Sequence, residues 1–438
     1  MQSETNFFIR VFSSATTVRS HEIRATLFSF LFVFTLMAAY FILRPVRDAL
    51  SSNWSDAELS WLWTSTFFFS LLAVSLYGAV ITRVRFSRLV PGVYAFFSLS
   101  FFAFYFGTSL VGNGDWVDKA FYVWLSVFSL FHVSVFWSFM ADLYTHNQAK
   151  RLFGFIAMGS SVGAIVGPTI PLLFAGIAGT DNLMLVAATM LLLPIPVIRT
   201  LESLRTTVLQ SSGAADSAPA SVQQASADQA LGKNPLAGFS LFVKNPLLLG
   251  IGIFILLYVA IGSFVYFELK NLLADFDGET RTRIWAGIDL AVNSLAIVTA
   301  AFATSRIATR WGMAATLALI PAFMVLGMAA IAIAPMVWVV VALQVARRAG
   351  NYAITRPGRE MLFTIVDRET RFKAKPVIDI VIYRGGDMVT AWAFTLLTQG
   401  IGLGLAAVAA VGAGIALVWA IVGARLGAMY ESKSAQDG

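Results

Sequence analysis

Residues 26–43 read TLFSFLFVFTLMAAYFIL, and the chain then continues Arg44-Pro45-Val46-Arg47-Asp48. An uncharged run of this length approaches the ~20 residues that a helix needs to cross a bilayer. Lipid offers no water to pair backbone N–H and C=O groups, so such a run must satisfy them internally as a helix. A polar segment with Arg10, Arg19 and Arg24 precedes it, and no small-residue cleavage site follows. It therefore reads as a retained membrane helix and not as a removed leader. The same signal recurs at 247–267 and 400–424.

Composition agrees with this reading. Hydrophobic residues make up 58% of the 438 and charged residues 13%, where a soluble domain carries roughly 25% charged residues. The ten-residue alternation of a membrane β-barrel is missing. There is no cysteine, which excludes disulfide and thiol chemistry. His21, His132 and His146 lie far apart, so no His-built metal site is expected, and no cofactor. Neither a nucleophile elbow nor a His-Glu-x-x-His run occurs, so no enzyme is expected.

Twelve apolar segments read as transmembrane helices: 25–50, 59–82, 89–111, 119–143, 152–175, 181–199, 246–269, 284–305, 312–333, 335–363, 376–398 and 400–424. The expected architecture is all-α, with an N-terminal six-helix half over 1–199 and a C-terminal six-helix half over 246–438. Between them, 200–245 includes SSGAADSAPASVQQASADQALG, too poor in apolar residues to order itself, and reads as a partly flexible linker. Lys and Arg concentrate on alternate loops: Arg83, Arg85 and Arg88; Lys150 and Arg151; Arg199, Arg205, Lys233 and Lys244; Arg306 and Arg310; and Arg356 to Lys375. That bias places both termini on the cytoplasmic side of an inner membrane. It also accounts for the net charge of +7 without a nucleic-acid polymer as partner.

Ionisable groups at membrane depth are the strongest pointers to function, because each needs a partner or water there. Arg44, Arg47 and Asp48 end the first helix; they either grip an anion or snorkel to the headgroups with Asp48 paired to one Arg. Arg347 and Arg348 fall near the middle of helix ten and are read as substrate-binding. Arg356 and Glu360 are spaced i,i+4 and read as a cytoplasmic gate or structural ion pair; Asp142, Lys150 and Arg151 read the same way. In helix eleven Asp379, Tyr383 and Asp387 share an i, i+4, i+8 stripe with Arg384 beside it, which fits a cavity lining. Glu268, in the YFELK end of helix seven, reads as a solvated rim charge first and a proton or substrate residue second. Gly154, Gly159, Ser160, Ser161, Gly163 and Gly167 form a tight helix-packing face.

Two six-helix halves joined by a long cytoplasmic linker are the plan of the major facilitator superfamily. AKRLFGFIAMGSSVGAIV (149–166) aligns faintly with FKAKPVIDIVIYRGGDMV (372–389), as an internal repeat would, and GAVITRVRFSR (78–88) loosely matches that superfamily's loop between helices two and three. Three stretches go further: YFILRPVRDAL (40–50), FWSFMADLYTHNQAKRLFGFIAMGSSVGAIVGP (136–168) and TRPGREMLFTIVDRETRFKAKPVIDIVIYRGGDMV (355–389) resemble bacterial members of the superfamily's ATP/ADP (nucleotide) translocase-like branch. The resemblance implies a basic cavity for a phosphate-bearing anion, and likens Arg47-Asp48 to the branch's Lys/Arg-Asp pair in its first helix.

The residues alone lead to a similar expectation. Arg suits bidentate capture of phosphate or carboxylate. Candidate substrate residues are Arg347, Arg348, Arg384, Arg44, Arg47 and Tyr383. Candidates for coupling or gating are Asp48, Asp379, Asp387, Glu268, Arg356 and Glu360. The expected function is secondary transport of an organic or phosphorylated, nucleotide-like anion across the lipid bilayer by alternating access. Two alternatives stand beside it. One is a proton-coupled transporter of a non-phosphorylated solute using Asp379, Asp387 and Glu268; the other is a non-transporting lipid-handling or sensor protein.

Overall fold

The apolar run that opens the sequence forms one helix, α1, over Ile23–Leu50, with Pro45 inside it. The computed structural model describes residue 19 and residues 21–81, 86–110, 115–205, 237–302, 304–366 and 377–437. The remaining first-half helices are α2 (Asp56–Ile81), α3 (Phe86–Leu110), α4 (Asp115–Leu143), α5 (His146–Ala178), α6 (Thr180–Met190) and α7 (Pro194–Leu204). The second half holds α8 (Ala237–Lys244), α9 (Pro246–Leu272), α10 (Gly278–Phe302), α11 (Thr304–Ile333), α12 (Val337–Gly350), α13 (Arg356–Leu362), α14 (Tyr383–Thr395) and α15 (Leu405–Asp437). No strand occurs among the described residues.

Helix stands at each of the twelve expected positions, and nine of these stretches, among the described residues, are long and apolar enough to cross a membrane. Several spans are broken where the sequence reading drew one helix. Pro194 and Pro196 cannot donate to the preceding turn, and the sixth span splits into α6 and α7 at Leu191–Leu193. The ninth turns at Gly312, whose φ of 77° suits glycine. Glu431 of α15 accepts there from the backbone N–H of Ala314, at 3.4 Å. The tenth and eleventh are interrupted by π turns at Asn351–Thr355, Val377–Ile382 and Leu396–Gly400. Most of the expected linker, 206–236, lies outside the described residues, as do residues 82–85 of the expected loop motif.

Helix starts are set locally. Thr145 and Gln148 form a reciprocal capping box at α5: the Thr145 N–H donates to Gln148 Oε1 at 3.0 Å, and the Gln148 N–H donates to Thr145 Oγ1 at 3.4 Å. At α9, Asn245 Oδ1 accepts from the N–H groups of Leu247 and Leu248, with Pro246 at the first helical position.

Contacts gather the described residues into two compact units. The first draws on Met1–Asp48, Phe68–Ser226 and Gly278–Leu290; the second on Ala49–Phe67, Ala227–Asp277 and Ala291–Gly438. Inside the first unit, Phe32 of α1 meets Tyr94 of α3 and Phe136 of α4 edge-on, with ring centroids 5.3 and 5.0 Å apart. Such edge-to-face pairs add about 0.5–1.5 kcal/mol each to simple burial. The small-residue face of α5 packs on α1: a Cβ on Gly159 would lie 2.6 Å from the Phe30 carbonyl oxygen and one on Gly167 2.7 Å from that of Ala38, while Gly163 abuts Phe34 and Met37. Gly154, in the same run, meets nothing within 4 Å and belongs to no contact.

The first unit is also pinned beside the start of α1. Glu22 accepts two bonds from Arg151 of α5, at 2.9 and 2.7 Å, and one from the Arg19 N–H at 3.0 Å. Burial raises the Glu22 carboxyl, but Arg151 and the Arg19 N–H outweigh it and hold the group below the ordinary carboxylate value. The pair therefore stabilises the fold above the unfolded carboxylate range and loses this contribution as pH falls through the depressed native value. Arg151→Ala should remove that acid-side loss, read from melting temperature against pH in detergent; an unaltered pH profile would show that the pair is not its source. Gly163→Val should force α1 and α5 apart and lower stability by about 1–3 kcal/mol, read by thermal unfolding of the purified protein, whereas Gly154→Ala should change it little.

Candidate substrate-binding site

Arginine in a membrane helix needs a counter-charge, a polar partner or an aromatic face. The first unit supplies counter-charges. Asp48 is 1% exposed and bracketed by both arginines of α1. Arg47 donates through Nε at 2.9 Å and Nη2 at 2.6 Å, and Arg44 Nε lies 3.5 Å away. Arg47 also donates to Ser126 Oγ at 3.2 Å and stands 5.3 Å over the Tyr122 ring, both on α4. Arg44 Nη1 lies 3.6 Å from a second carboxylate, Asp289 of α10, itself 1% exposed. The expected single pairing of Asp48 is thus a four-residue network, and each α1 guanidinium already faces a carboxylate. Asp289 was missed in the sequence reading; its signal is a lone acid inside the apolar stretch IWAGIDLAVNSLAIV.

The second unit treats its arginine differently. Gln344 and Arg347 lie three residues apart on α12 and so share a face. They are buried to 2% and 6% exposure, and Arg348 to 3%. Arg347 donates to Gln344 Oε1 through Nη2 at 3.0 Å and Nε at 3.3 Å, and its guanidinium lies 5.3 Å from the centre of the Tyr258 ring on α9. Gly262, one turn further along α9, makes room: a Cβ there would lie 2.9 Å from Arg347 Nη1. Among the described residues, no carboxylate comes within ion-pair distance of Arg347; its partners are a neutral amide and a π face.

α14 completes this group. The Tyr383 ring centroid is 6.2 Å from that of Tyr258. Arg384 Nη1 lies 3.6 Å from Asp387 Oδ2, and Asp387 is within electrostatic reach of Arg347. Further along the same pair of helices, Ser263 and Thr390 bond through their hydroxyls at 2.7 Å. Arg347, Arg384, Tyr383 and Asp387 are thus brought together. Asp379 falls in the π turn Val377–Ile382 and its side chain lies outside the described residues. That turn breaks the α-helical register on which the Asp379–Tyr383–Asp387 stripe depended.

Other candidates are placed elsewhere. Glu360 accepts from its neighbour Arg359 at 3.1 Å, while Arg356 is exposed. Asp142 pairs with Arg205 at 2.8 Å, and the Lys150 side chain lies outside the described residues. Glu268 is no rim charge: it is 0% exposed. Lys270, one residue beyond the expected helix 246–269, is 1% exposed and pairs with Asp56 at 2.8 Å. Trp54 and Asp56, at the start of α2, hold Lys270, and Asp56 is within electrostatic reach of Glu268; all belong to the same unit although remote in sequence. Among the described residues no group of acids and histidines could hold a metal ion.

Neutralising Asp48 would remove the carboxylate that both α1 arginines face. Asp48→Asn should therefore destabilise the protein by about 3–5 kcal/mol, the usual result of removing one member of a buried ion pair. Chemical denaturation in detergent reads this directly; an unchanged midpoint would show that the arginines do not depend on Asp48.

Comparison with solved structures agrees with this all-helical architecture. The nucleoside transporter NupG superposes with a TM-score of 0.63 at 14% identity, over 93% of this chain and 99% of that one. A POT family transporter in complex with a thioalcohol-conjugated peptide gives 0.59 at 13% identity, over 91% and 95% of the two chains. A bacterial homologue of the human lysosomal transporter Spinster, inward-facing and unoccupied, gives 0.56 at 13% identity, over 94% and 97%. No curated protein sequence matches. Residues 25–355 match the Major Facilitator Superfamily, and the chain belongs to that superfamily of membrane transporters.

Proposed function

We propose that this transporter moves an organic or phosphorylated anion, nucleotide-like in character, by alternating access. The observation that carries the reading is Arg347: a buried guanidinium whose partners among the described residues are neutral. A permanent positive charge in this setting is stabilised by an anion that brings its own charge and oxygen acceptors. Arg384, Tyr383 and Tyr258 beside it add a second guanidinium and two rings, a combination suited to an anionic group joined to a planar base or ring. The resemblance of residues 40–50, 136–168 and 355–389 to the ATP/ADP translocase-like branch points the same way, and NupG, which shares the fold, is a nucleoside transporter. In this reading the six-helix halves 1–199 and 246–438, joined by the linker 200–245, sit in the inner membrane with both ends cytoplasmic. The α1 arginines, already matched to Asp48 and Asp289, hold the first compact unit together and touch substrate less than the second-unit group does.

Purified protein should be stabilised against heat by ATP, ADP or inorganic phosphate. Saturation at a hundred times Kd adds about 2.7 kcal/mol. In liposomes it should take up or exchange labelled nucleotide. Arg347→Ala should weaken binding roughly 10–100-fold, as loss of charge-assisted hydrogen bonds does, with the melting temperature of the ligand-free protein kept. Indifference to a broad panel of anions, or unchanged affinity in both Arg347→Ala and Arg384→Ala, would sink the proposal.

A further inference from the structure

The C-terminal end of α9 carries a carboxylic acid that the anion site leaves unused. Glu268 is 0% exposed, and neither of its carboxyl oxygens has a hydrogen-bond partner among the described residues. Two residues on, Lys270 is committed elsewhere: Nζ pairs with Asp56 at 2.8 Å and donates to the Trp54 carbonyl at 2.7 Å. Asp56 is committed as well, accepting from Asn271 Nδ2 at 3.0 Å and Thr398 Oγ1 at 2.7 Å. This latch ties the start of α2 to the ends of α9 and the eleventh span, all within the second unit. Around it Ser60 and Thr395 bond at 2.7 Å, and Trp392 donates to Thr64 at 3.0 Å.

Among the described residues of the second unit, Asp275 and Asp277 follow the end of α9 in the chain and are exposed. Asp56 acts on Glu268, and Glu58, which accepts from Ser55, acts on Lys270. The turn Ser51–Asn53, the start of α12, the end of α14 with Leu396–Gly400, and the start of α15 contribute no titratable side chain. Lys244 and Asp379 lie on segments that adjoin the opposite end of α9, where Phe242 and Ile382 meet Gly252.

An ionised carboxylate with both oxygens dry is far more costly than the neutral acid, which keeps its own proton and needs only a weak partner. Lys270 cannot serve as the counter-charge while Asp56 holds it. We propose that Glu268 is a proton-binding site, loaded in the arrangement seen here, and that the Asp56–Lys270 latch keeps water from it. The step is a simple protonation: the carboxylate takes one proton from water on one oxygen as the latch closes, and returns it to water once the latch parts and the ionised form can be hydrated. This stands on the burial around α9 and not on the identity of the transported anion.

Infrared spectroscopy of the full-length protein, without any substrate, tests it. Near neutral pH the native chain should show a protonated-carboxyl C=O band that is lost in Glu268→Gln. In deuterated water that band should shift slowly, because exchange waits on opening, and about tenfold faster or more in Asp56→Asn and in Lys270→Met. A native spectrum without the band, or a band that survives in Glu268→Gln, overturns the site. Should Glu268→Gln fail to fold, Glu268→Asp must displace the band; an unmoved band again overturns the site. Exchange equally slow in both latch variants overturns the latch. None of these readouts depends on anion binding, so failure here and failure of the anion reading are separately visible.

Discussion

A bilayer interior supplies neither water nor counter-ions, and the architecture follows from that shortage. Backbone polar groups close on themselves as helices, which is why long apolar runs in the sequence become helices in the structure. Side-chain charges have no such internal solution and must find one another across helices. Asp48 collects both arginines of its own helix, Asp289 joins Arg44 from α10, and Asp56 takes Lys270 from α9. The pairs that cross between helices, Arg44–Asp289 and Lys270–Asp56, tie neighbours together where lipid competes for apolar surface but not for charge.

Two groups depart from that pattern in opposite senses. Among the described residues Arg347 has only neutral hydrogen-bond and ring partners, with Asp387 no closer than electrostatic reach, and Glu268 keeps an acid with no hydrogen-bond partner. Both lie in the second unit, and α9 touches both, carrying Tyr258 and Gly262 against the guanidinium and Glu268 ten residues after Tyr258. α9 thus carries both the ring and the glycine that flank the Arg347 guanidinium and the buried Glu268 carboxyl. The first unit, where both α1 arginines are matched by carboxylates, offers no comparable vacancy of charge at its Asp48 network.

Much of this was legible in the sequence, and the limits are instructive. Hydropathy located helix at the twelve expected positions, nine of which, among the described residues, are long and apolar enough to cross a membrane, because an apolar run of that length has one stable form in lipid. Gly159, Gly163 and Gly167 were read as a packing face, since their spacing puts them on one side of a helix. What periodicity cannot supply is the identity of the neighbour. Asp289 was passed over although it stands alone in an apolar run, and Glu22 because its partner Arg151 is remote in sequence. Glu268 and Lys270 sit where a helix ordinarily reaches water, yet both are buried, and the Asp56 that pairs with Lys270 is remote in sequence. The π turns carry no marked sequence signal at all, and they undid the stripe drawn through Asp379.

Those turns have a consequence for comparing this chain with its relatives. A π turn holds one residue more than the α-helical turn it replaces, and each residue of register rotates everything beyond it by about 100°. Between Arg347 and Arg359 the chain passes through Asn351–Thr355. A relative with an unbroken α-helix there keeps both arginines on their present faces only if it is one residue shorter within that stretch. An alignment that places no gap at 351–355 will therefore equate residues on different sides of the helix. The three π turns are the places where one-residue length differences among members of the superfamily are to be sought first.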